Sequence, residues 1–395
     1  MTAREYRIEV PEAVLADLRE RLGRVRWAEE LPSARGDAWE RGADVAYVRE
    51  LCEYWRTSYD WRAQEAALNA WPQFVSNIDG VDIHYWHVRG TAAEPGSAAA
   101  EAGSDGPSPM PLILVHGWPG SMYEFHHLIG RLTDPASHNG DAADAFDVVI
   151  PALPGFGFSG KPKEPGWGPQ RTARAFHELM TRELGYARYG TQGGDWGSAV
   201  TSAMAVLYPE AVIGAHLNFV VGFPTPEQAT EPEAKVYLDH AAAIQREEMG
   251  YFQVQSTKPM SLGIAQSDSP AGLAAWIVEK FRTWSDCGGD VERVYTKDQL
   301  LTNIMFYWAP NSIASAANMY YESRREGRWV AGDRISVPVG AAIFPKELVR
   351  CPRSWAEGRM NIVRWTEMPR GGHFAALEQP ELLLDDVRAF FRELR

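Results

Sequence analysis

A chain of 395 residues with 45% hydrophobic side chains is long enough to bury a large core, in one elaborated domain or in several smaller ones. Its formal net charge of -13 and its lack of a Lys/Arg run argue against nucleic acid or an anionic membrane surface as a partner. The three cysteines lie far apart without CxxC spacing, which favours reduced packing residues over a disulfide framework or a metal site. A polar, charged amino terminus, where a membrane anchor would need an apolar run, predicts a cytoplasmic protein.

The amino-terminal part of the chain carries helical patterns. The first begins at Pro11, a residue that suits a helix start, and its apolar residues fall on one face. Similar patterns cover about 45–55 and 61–68. The irregular segment between the first two contains tryptophans and is too apolar to stand free in solvent. We therefore expect residues 1–72 to form a meander that packs against the main body.

Strand patterns dominate after this meander. Alternating apolar runs flank Asp79-Gly80, and Asp-Gly between such runs is a strong hairpin signal. Apolar runs at 111–115 and 146–151 each lead into a loop rich in glycine and proline, which is typical of buried parallel strands. Because helical patterns alternate with the strands that follow, residues 73–222 are predicted to form the first part of an α/β core.

A helical region rich in tryptophan and tyrosine, residues 223–333, then interrupts the alternation. Strand patterns resume at 335–344 and 362–368, and residues 334–395 are predicted to complete the core. A helical insert between two strands is typical of a cap over the strand ends, where the ligands of parallel sheets bind. The predicted fold class is therefore α/β, with a mostly parallel sheet, an inserted helical cap and an amino-terminal helical meander.

The stretch 191–198 has the spacing of a sharp turn between a strand and a helix. Gly193, Gly194 and Gly197 surround Asp195, as a strained turn without room for Cβ atoms requires. This is the pattern of the nucleophile elbow of the α/β-hydrolase fold, G-x-S-x-G, with Asp in place of Ser. An attacking carboxylate forms an alkyl ester with an electrophilic carbon, and water must then cleave that ester.

A histidine and an acid should follow the nucleophile in chain order. His373 lies in a glycine-rich loop after the last strand and is the best candidate among the ten histidines. Glu347, in the loop after the preceding strand, is the favoured orienting acid, with Glu357 and Glu367 as weaker candidates. The competing position after an earlier strand offers Asn218 and no carboxylate.

Two backbone N–H groups are candidates for an oxyanion hole. One belongs to Trp196, directly after Asp195, and the other to Trp118 in the His-Gly-Trp-Pro loop. The side chains of these two tryptophans and of Phe374 are expected to line the substrate pocket. The chemistry of these residues calls for no metal and no cofactor.

At this point the sequence resembles the epoxide hydrolases of the α/β-hydrolase superfamily, in particular the microsomal and juvenile-hormone type with an amino-terminal meander. The likeness covers nearly the whole chain. The segments that carry it are Arg24–Trp27, Trp71–Phe74, His116–Ser121, Gly193–Gly197, Ser256–Pro259 and Arg370–Ala375. The resemblance implies an enzyme, with a role in detoxification, that converts an epoxide and water to a vicinal diol through an ester on Asp195, which water activated by His373 and Glu347 then hydrolyses.

The resemblance also implies two cap tyrosines that hold the epoxide oxygen. The segment before Ser256-Thr257 assigns the first to Tyr251, and the helix 312–322 assigns the second to Tyr320, with Tyr321 as the alternative. The aromatic and aliphatic cap favours a bulky apolar epoxide as substrate. The membrane anchor of the microsomal enzyme is not expected here, and a homodimer is possible.

Two other functions compete with this one. A haloalkane dehalogenase shares the fold, the Asp nucleophile and often the following tryptophan, here Trp196. Two cap tyrosines suit an oxyanion better than a halide, and that family lacks the meander. A binding protein that keeps the pocket without turnover is the other alternative, and the complete set of Asp195, Glu347 and His373 argues against it.

Overall fold

The computed structural model describes residues 3–29, 31–34, 36–91, 108–232, 234–326 and 334–395. Within these ranges the strands form one nine-stranded sheet, in the order β1-β2-β3-β5-β4-β6-β7-β8-β9. The strands are β1 (Arg4–Glu5), β2 (Gln73–Ile78), β3 (Val81–Val88), β4 (Met110–Val115), β5 (Phe146–Pro151), β6 (Tyr189–Gly193), β7 (Val212–Leu217), β8 (Ile335–Ile343) and β9 (Met360–Glu367).

The sheet is antiparallel at one edge and parallel elsewhere. Strands β1, β2, β3 and β5 pair antiparallel, whereas β5, β4, β6, β7, β8 and β9 pair in parallel. The predicted hairpin joins β2 to β3, and Asp79 and Gly80 both have positive φ angles of 50° and 79°, as a two-residue turn of this kind needs. The carboxyl ends of the parallel strands therefore lie at one edge, where Asp195 follows β6.

Helices surround the sheet. They are α1 (Glu12–Leu22), α2 (Val45–Thr57), α3 (Trp61–Leu68), α4 (Ile129–Thr133), α5 (Pro169–Glu178), α6 (Trp196–Leu207), α7 (Ala234–Glu247), α8 (Gly250–Thr257), α9 (Pro259–Asp268), α10 (Pro270–Trp284), α11 (Lys297–Trp308), α12 (Ile313–Glu326), α13 (Arg353–Glu357), α14 (Ala375–Glu378) and α15 (Pro380–Arg392). Helix α6 packs on β4, β6, β7 and β8, and α15 packs on β7 and β8. In the described ranges, no helix combines the length and the apolar character that crossing a bilayer requires.

Among the described residues between β7 and β8 are six α-helices, α7 to α12. Helix α12 packs on α8 and α9, and α10 packs on α9 and α11, so the helices of the insert contact one another. The limits drawn from the sequence, 223 and 333, stay a prediction, and the second lies outside the described residues.

The amino-terminal segment contacts both parts of the molecule. Strand β1 extends the sheet edge, an element that the sequence analysis did not foresee. Helix α2 lies against α10 and α11, where Tyr54 donates a hydrogen bond to Asp298 over 2.9 Å. The segment therefore ties the edge of the sheet to the inserted helices.

Candidate active site

Asp195 stands at the turn between β6 and α6 with φ 51° and ψ −125°, a conformation that costs a residue with a side chain about 1–3 kcal/mol. The surrounding glycines have no room for a side chain. A Cβ on Gly197 would lie 1.8 Å from the carbonyl oxygen of Val115, and one on Gly193 would lie 2.4 Å from the carbonyl carbon of Gly197. The elbow spacing read from the sequence thus reflects steric exclusion between β4, β6 and α6.

Backbone donors flank the Asp195 carboxylate. The N–H of Trp118 donates a hydrogen bond to Oδ1 over 2.8 Å. Trp196 is the first residue of α6, so its N–H belongs to the positively polarised start of that helix. The structure therefore brings the Trp118 N–H to the carboxylate, and Trp196 directly follows Asp195 at the start of α6.

The loop that carries Trp118 is held by helix α11. Asn303 donates to the carbonyl of Pro119 over 2.8 Å and accepts from Ser121 over 2.8 Å, and Tyr307 donates to the carbonyl of Gly120 over 2.5 Å. These contacts fix the direction of the Trp118 N–H. Sequence reasoning missed Asn303 and Tyr307 because nothing in the local pattern of α11 marks them as partners of a loop more than 180 residues earlier.

His373 links the nucleophile position to a buried acid. Its Nε2 lies 3.5 Å from Oδ2 of Asp195, and its Nδ1 donates to Oε1 of Glu347 over 2.7 Å. Oε1 also accepts the N–H of Leu348 over 2.6 Å, and the N–H of His373 donates to the carbonyl of Trp284 over 2.9 Å. Hydrogen bonds at Nδ1 and at the backbone N–H therefore position His373, and its Nε2 faces Asp195.

Charge decides the protonation of His373. Burial lowers the pKa of its imidazole, but the carboxylates of Glu347 and Asp195 outweigh burial and hold the pKa well above the usual 6.5. The carboxylates of Asp195 and Glu347 therefore both act on the charge of this imidazole.

The other acid candidates lie elsewhere. Glu357 is exposed at the end of α13 and pairs with Arg353 over 2.7 Å. Glu367 is exposed at the end of β9, and Asn218 accepts a hydrogen bond from Gln192 over 2.8 Å. Of the three glutamates considered, the structure brings only the Glu347 side chain to His373, whereas Asn218 lines the small cavity beside Asp195 and His373.

The two predicted cap tyrosines meet above the tryptophans. Tyr251 of α8 stacks on the indole of Trp118, with ring centroids 4.9 Å apart and an interplanar angle of 7°. Tyr320 of α12 stands edge-on to Trp196 at 4.7 Å and to Trp118 at 5.7 Å. The two phenol rings are 5.8 Å apart, so their side chains form one cluster over Asp195.

Burial keeps both phenols protonated. It raises the pKa of Tyr251 and Tyr320 well above 10, and the nearby Asp195 charge adds to the effect. Tyr321 points away from this cluster: it is half-buried, and the guanidinium of Arg325 covers its ring at 3.2 Å from the centroid. Of the two alternatives in α12, Tyr320 is the one that the structure places beside Tyr251.

Aromatic rings also wall the histidine side. Phe374 stacks on Phe281 with ring centroids 4.0 Å apart, and Trp284 stands edge-on to His373 at 5.1 Å. Trp284 contacts Tyr251 as well, with centroids 5.1 Å apart. Trp284 was not singled out from the sequence, although it supplies both a ring and a backbone carbonyl to the site.

A further carboxyl group at this site escaped the sequence analysis. Glu124 is buried and lines, together with Asp195 and His373, a small cavity at the ends of β4 and β6. Its pKa is raised to about 8, chiefly by burial, while His373 lowers the pKa and the charge of Asp195 raises it. The available signal was its position three residues after Ser121 in the His-Gly-Trp-Pro-Gly-Ser segment.

The whole arrangement defines a class of protein. The sheet order, the strained elbow and the His373 loop are those of the α/β-hydrolase fold, and one family model, described as "alpha/beta hydrolase fold", matches residues 110–237. A second model, "Epoxide hydrolase N terminus", matches residues 3–125. The protein is therefore an enzyme with the α/β-hydrolase fold.

Known relatives narrow the class. The chain is 37% identical to "Epoxide hydrolase 1" of Sus scrofa, over 98% of this chain and 88% of that protein. It is 37% identical to "Juvenile hormone epoxide hydrolase 2" of Ctenocephalides felis, over 97% of this chain and 84% of that protein. The crystal structure of juvenile hormone epoxide hydrolase from the silkworm Bombyx mori matches with a TM-score of 0.88 and 31% identity, covering 100% of this chain and 95% of that one. The chain belongs to the epoxide hydrolases.

Proposed function

We propose that this enzyme converts an apolar epoxide and water to a vicinal diol through an alkyl ester on Asp195. One observation carries the proposal. The Asp195 carboxylate has a backbone donor on Oδ1 and His373 3.5 Å from Oδ2, beneath two protonated tyrosines. A carboxylate so arranged can attack a carbon while donors above it stabilise the oxygen that leaves that carbon.

In the first step Asp195 attacks a ring carbon of the epoxide. Oδ1 stays on the Trp118 N–H, so Oδ2 becomes the ester oxygen. The carbon–oxygen bond of the ring breaks, and the oxygen takes a proton from Tyr251 or Tyr320. Phenols with a pKa well above 10 are weak acids, and they give up this proton only as the ring opens and a basic alkoxide forms.

In the second step water cleaves the ester. His373 takes a proton from water through Nε2 while the water oxygen bonds to the carbonyl carbon of Asp195. The oxyanion that forms lies on Oδ1, where the N–H groups of Trp118 and Trp196 stabilise it. Collapse breaks the bond to the alkyl oxygen, which takes the proton from His373. The proton that remains on the Asp195 carboxyl group passes to the tyrosinate and restores the tyrosine.

Glu347 supports this second step through His373. Its carboxylate accepts from Nδ1 over 2.7 Å, so Nε2 faces Asp195 and the imidazolium is stabilised when it forms. Glu347 is thus a positioning residue, because it acts on the water only through His373.

The surroundings support an apolar substrate. Trp118, Trp196, Tyr251, Tyr320 and Phe374 bring indole, phenol and phenyl faces to the site. We infer that the helices α7 to α12 act as the cap of this pocket and that residues 1–72 brace it. A panel with aryl and small polar epoxides tests the substrate class, and faster turnover of the polar ones would contradict it.

The mechanism is tested by trapping the ester. His373→Gln should let Asp195 attack but prevent hydrolysis, so intact mass should rise by the whole epoxide, with the adduct on the peptide that contains Asp195. Asp195→Ala is the matched control and should acquire no adduct and form no diol. Diol formation by Asp195→Ala at the wild-type rate would contradict the mechanism. So would a His373→Gln protein that stays unmodified after exposure to an epoxide that the wild type consumes.

A further inference from the structure

The buried side chain of Glu124 has no part in the steps described above. It belongs to a short helical turn, Met122–Phe125, that follows the Trp118 loop. Its carboxylate folds back on that loop: a Cβ on Gly120 would lie 1.7 Å from Oε1. Gly120 is therefore a glycine because the Glu124 carboxylate occupies the place of its side chain.

The carboxylate lines a cavity that it shares with the reacting groups. Glu124, Gly120, Trp118, Asp195 and His373 are among its lining residues. The space open to the centre of a water molecule is about 10 Å³, which is close to the minimum for one water. Of the described side chains that line it, none is a tyrosine, so this cavity is distinct from the place where the phenols would hold an epoxide oxygen.

The second step of the proposed mechanism needs a water in such a place. This water must lie within hydrogen-bond reach of Nε2 of His373 and near the carbonyl carbon of Asp195. A buried water also needs about two to four polar partners, and His373 supplies one. Two other titratable side chains line the cavity with Asp195 and His373. The ring nitrogens of His116 already contact the carbonyl of Gly117 and the N–H of Leu153, so Glu124 is the one that remains to bind a water.

We propose that Glu124 binds the water that hydrolyses the Asp195 ester and orients its oxygen towards the ester carbonyl carbon. The inference rests on the ester mechanism. One proton of the water passes to Nε2 of His373, and the other points to the Glu124 carboxyl group and stays on the oxygen that bonds to Asp195. Glu124 thus gains and loses no proton in the step.

The electrostatics of the site fit this role. The charge of Asp195 raises the pKa of Glu124, whereas His373 lowers it, and backbone N–H groups of Gly117 and Ser121 lower it as well. Together with burial, these influences set the pKa of Glu124 at about 8. Above that pH the group is a carboxylate, which only accepts hydrogen bonds and can therefore hold a water by one of its protons.

Single-turnover kinetics separate this role from a structural one. Wild type and Glu124→Gln are each exposed briefly to one equivalent of an aryl epoxide and then diluted into buffer without epoxide. Intact mass then gives the esterified fraction of each protein over time. At pH 9, where a carboxyl group with a pKa of about 8 is ionised, the ester should form at the wild-type rate in Glu124→Gln and decay about 10- to 100-fold more slowly, the effect of losing one hydrogen bond to a charged group. Glu124→Asp, which withdraws the carboxylate but keeps its charge, should also slow decay.

Glu65→Gln is the matched control. Glu65 is buried to a similar extent but lies in α3, where it accepts the N–H of Val10 over 2.7 Å. This variant should form and lose the ester as the wild type does. Wild-type decay in both Glu124 variants would overturn the inference, and so would an equal loss in ester formation and decay, which a distorted site would produce. If either of these results were accompanied by a trapped ester in His373→Gln, the ester mechanism would still hold and only the role of Glu124 would fall. If no variant formed an ester, both the ester mechanism and the role of Glu124 would be overturned.

Discussion

Nδ1 of His373 donates a hydrogen bond over 2.7 Å to a carboxylate oxygen of Glu347 that also accepts the N–H of Leu348. The two side chains come from loops after neighbouring parallel strands, β8 and β9, and both are 3% exposed. An acid in such a place fixes the imidazole ring and raises its pKa. This pair therefore links the protonation of the histidine to the register of two strands.

We expect Glu347→Gln to slow ester hydrolysis by roughly 10²-fold or more, because the amide keeps a hydrogen bond but not the charge that stabilises the imidazolium. Loss of that charge lowers the pKa of His373, so the acid limb of the hydrolysis rate should move to lower pH. Rates of ester decay across pH check both effects. Glu357→Gln and Glu367→Gln serve as controls and should match the wild type; a comparable defect in either would reopen the choice of acid.

Tyr320→Phe should slow ester formation by about 10-fold or more, since one of two donors to the epoxide oxygen is lost while Tyr251 remains. Tyr321→Phe removes the same atom one position along α12, on a ring covered by Arg325, and should leave the rate unchanged. Burst kinetics of ester formation measure both. If the two effects were exchanged, Tyr321 would be the donor.

Strain at the elbow should be visible in stability. Asp195→Gly and Asp195→Ala both remove the carboxylate, but only glycine accepts φ 51° and ψ −125° without cost. We expect the glycine variant to exceed the alanine variant in free energy of unfolding by about 1–2 kcal/mol, part of which is offset by the flexible unfolded chain. Urea unfolding of the two proteins gives the difference, and an alanine variant of equal or greater stability would show that the turn is unstrained.

Glu124 should make stability depend on pH. Its pKa is raised from 4.5 to about 8, so the folded protein keeps a proton that the unfolded chain releases near pH 4.5. Stability linked to this group is complete below pH 4.5 and is lost as pH rises to about 8. Glu124→Gln has no such proton, so its free energy of unfolding relative to wild type should rise by about 1–3 kcal/mol between pH 5 and pH 8. Parallel urea-unfolding curves over this range would contradict a buried, protonated carboxyl group.

The elements with strong local rules were legible in the sequence. Asp79-Gly80 marks the hairpin because few other pairs accept two positive φ angles. Gly193 and Gly197 mark the elbow because backbone atoms of neighbouring elements leave no space for Cβ atoms. Such constraints act on adjacent residues, and the residue types alone express them.

Side-chain convergence was decided by the tertiary structure. Glu347, Glu357 and Glu367 were all compatible with the chain order, and the register of β8 and β9 brings one of them to His373. The sequence did not single out Glu124, because the contact of its carboxylate with Gly120 depends on the conformation of the loop between them.

Helix packing in the insert likewise decided which tyrosine of α12 faces the site. The sequence by itself determined that α12 carries adjacent tyrosines, but only the rotation of α12 against α8 decided that Tyr320 meets Tyr251 while Tyr321 meets Arg325. Strand β1 was likewise too short for a periodic signal, and it forms by antiparallel pairing with the edge of β2. The physical reason is that backbone conformation depends on local sterics, whereas contacts between distant side chains depend on how whole elements pack.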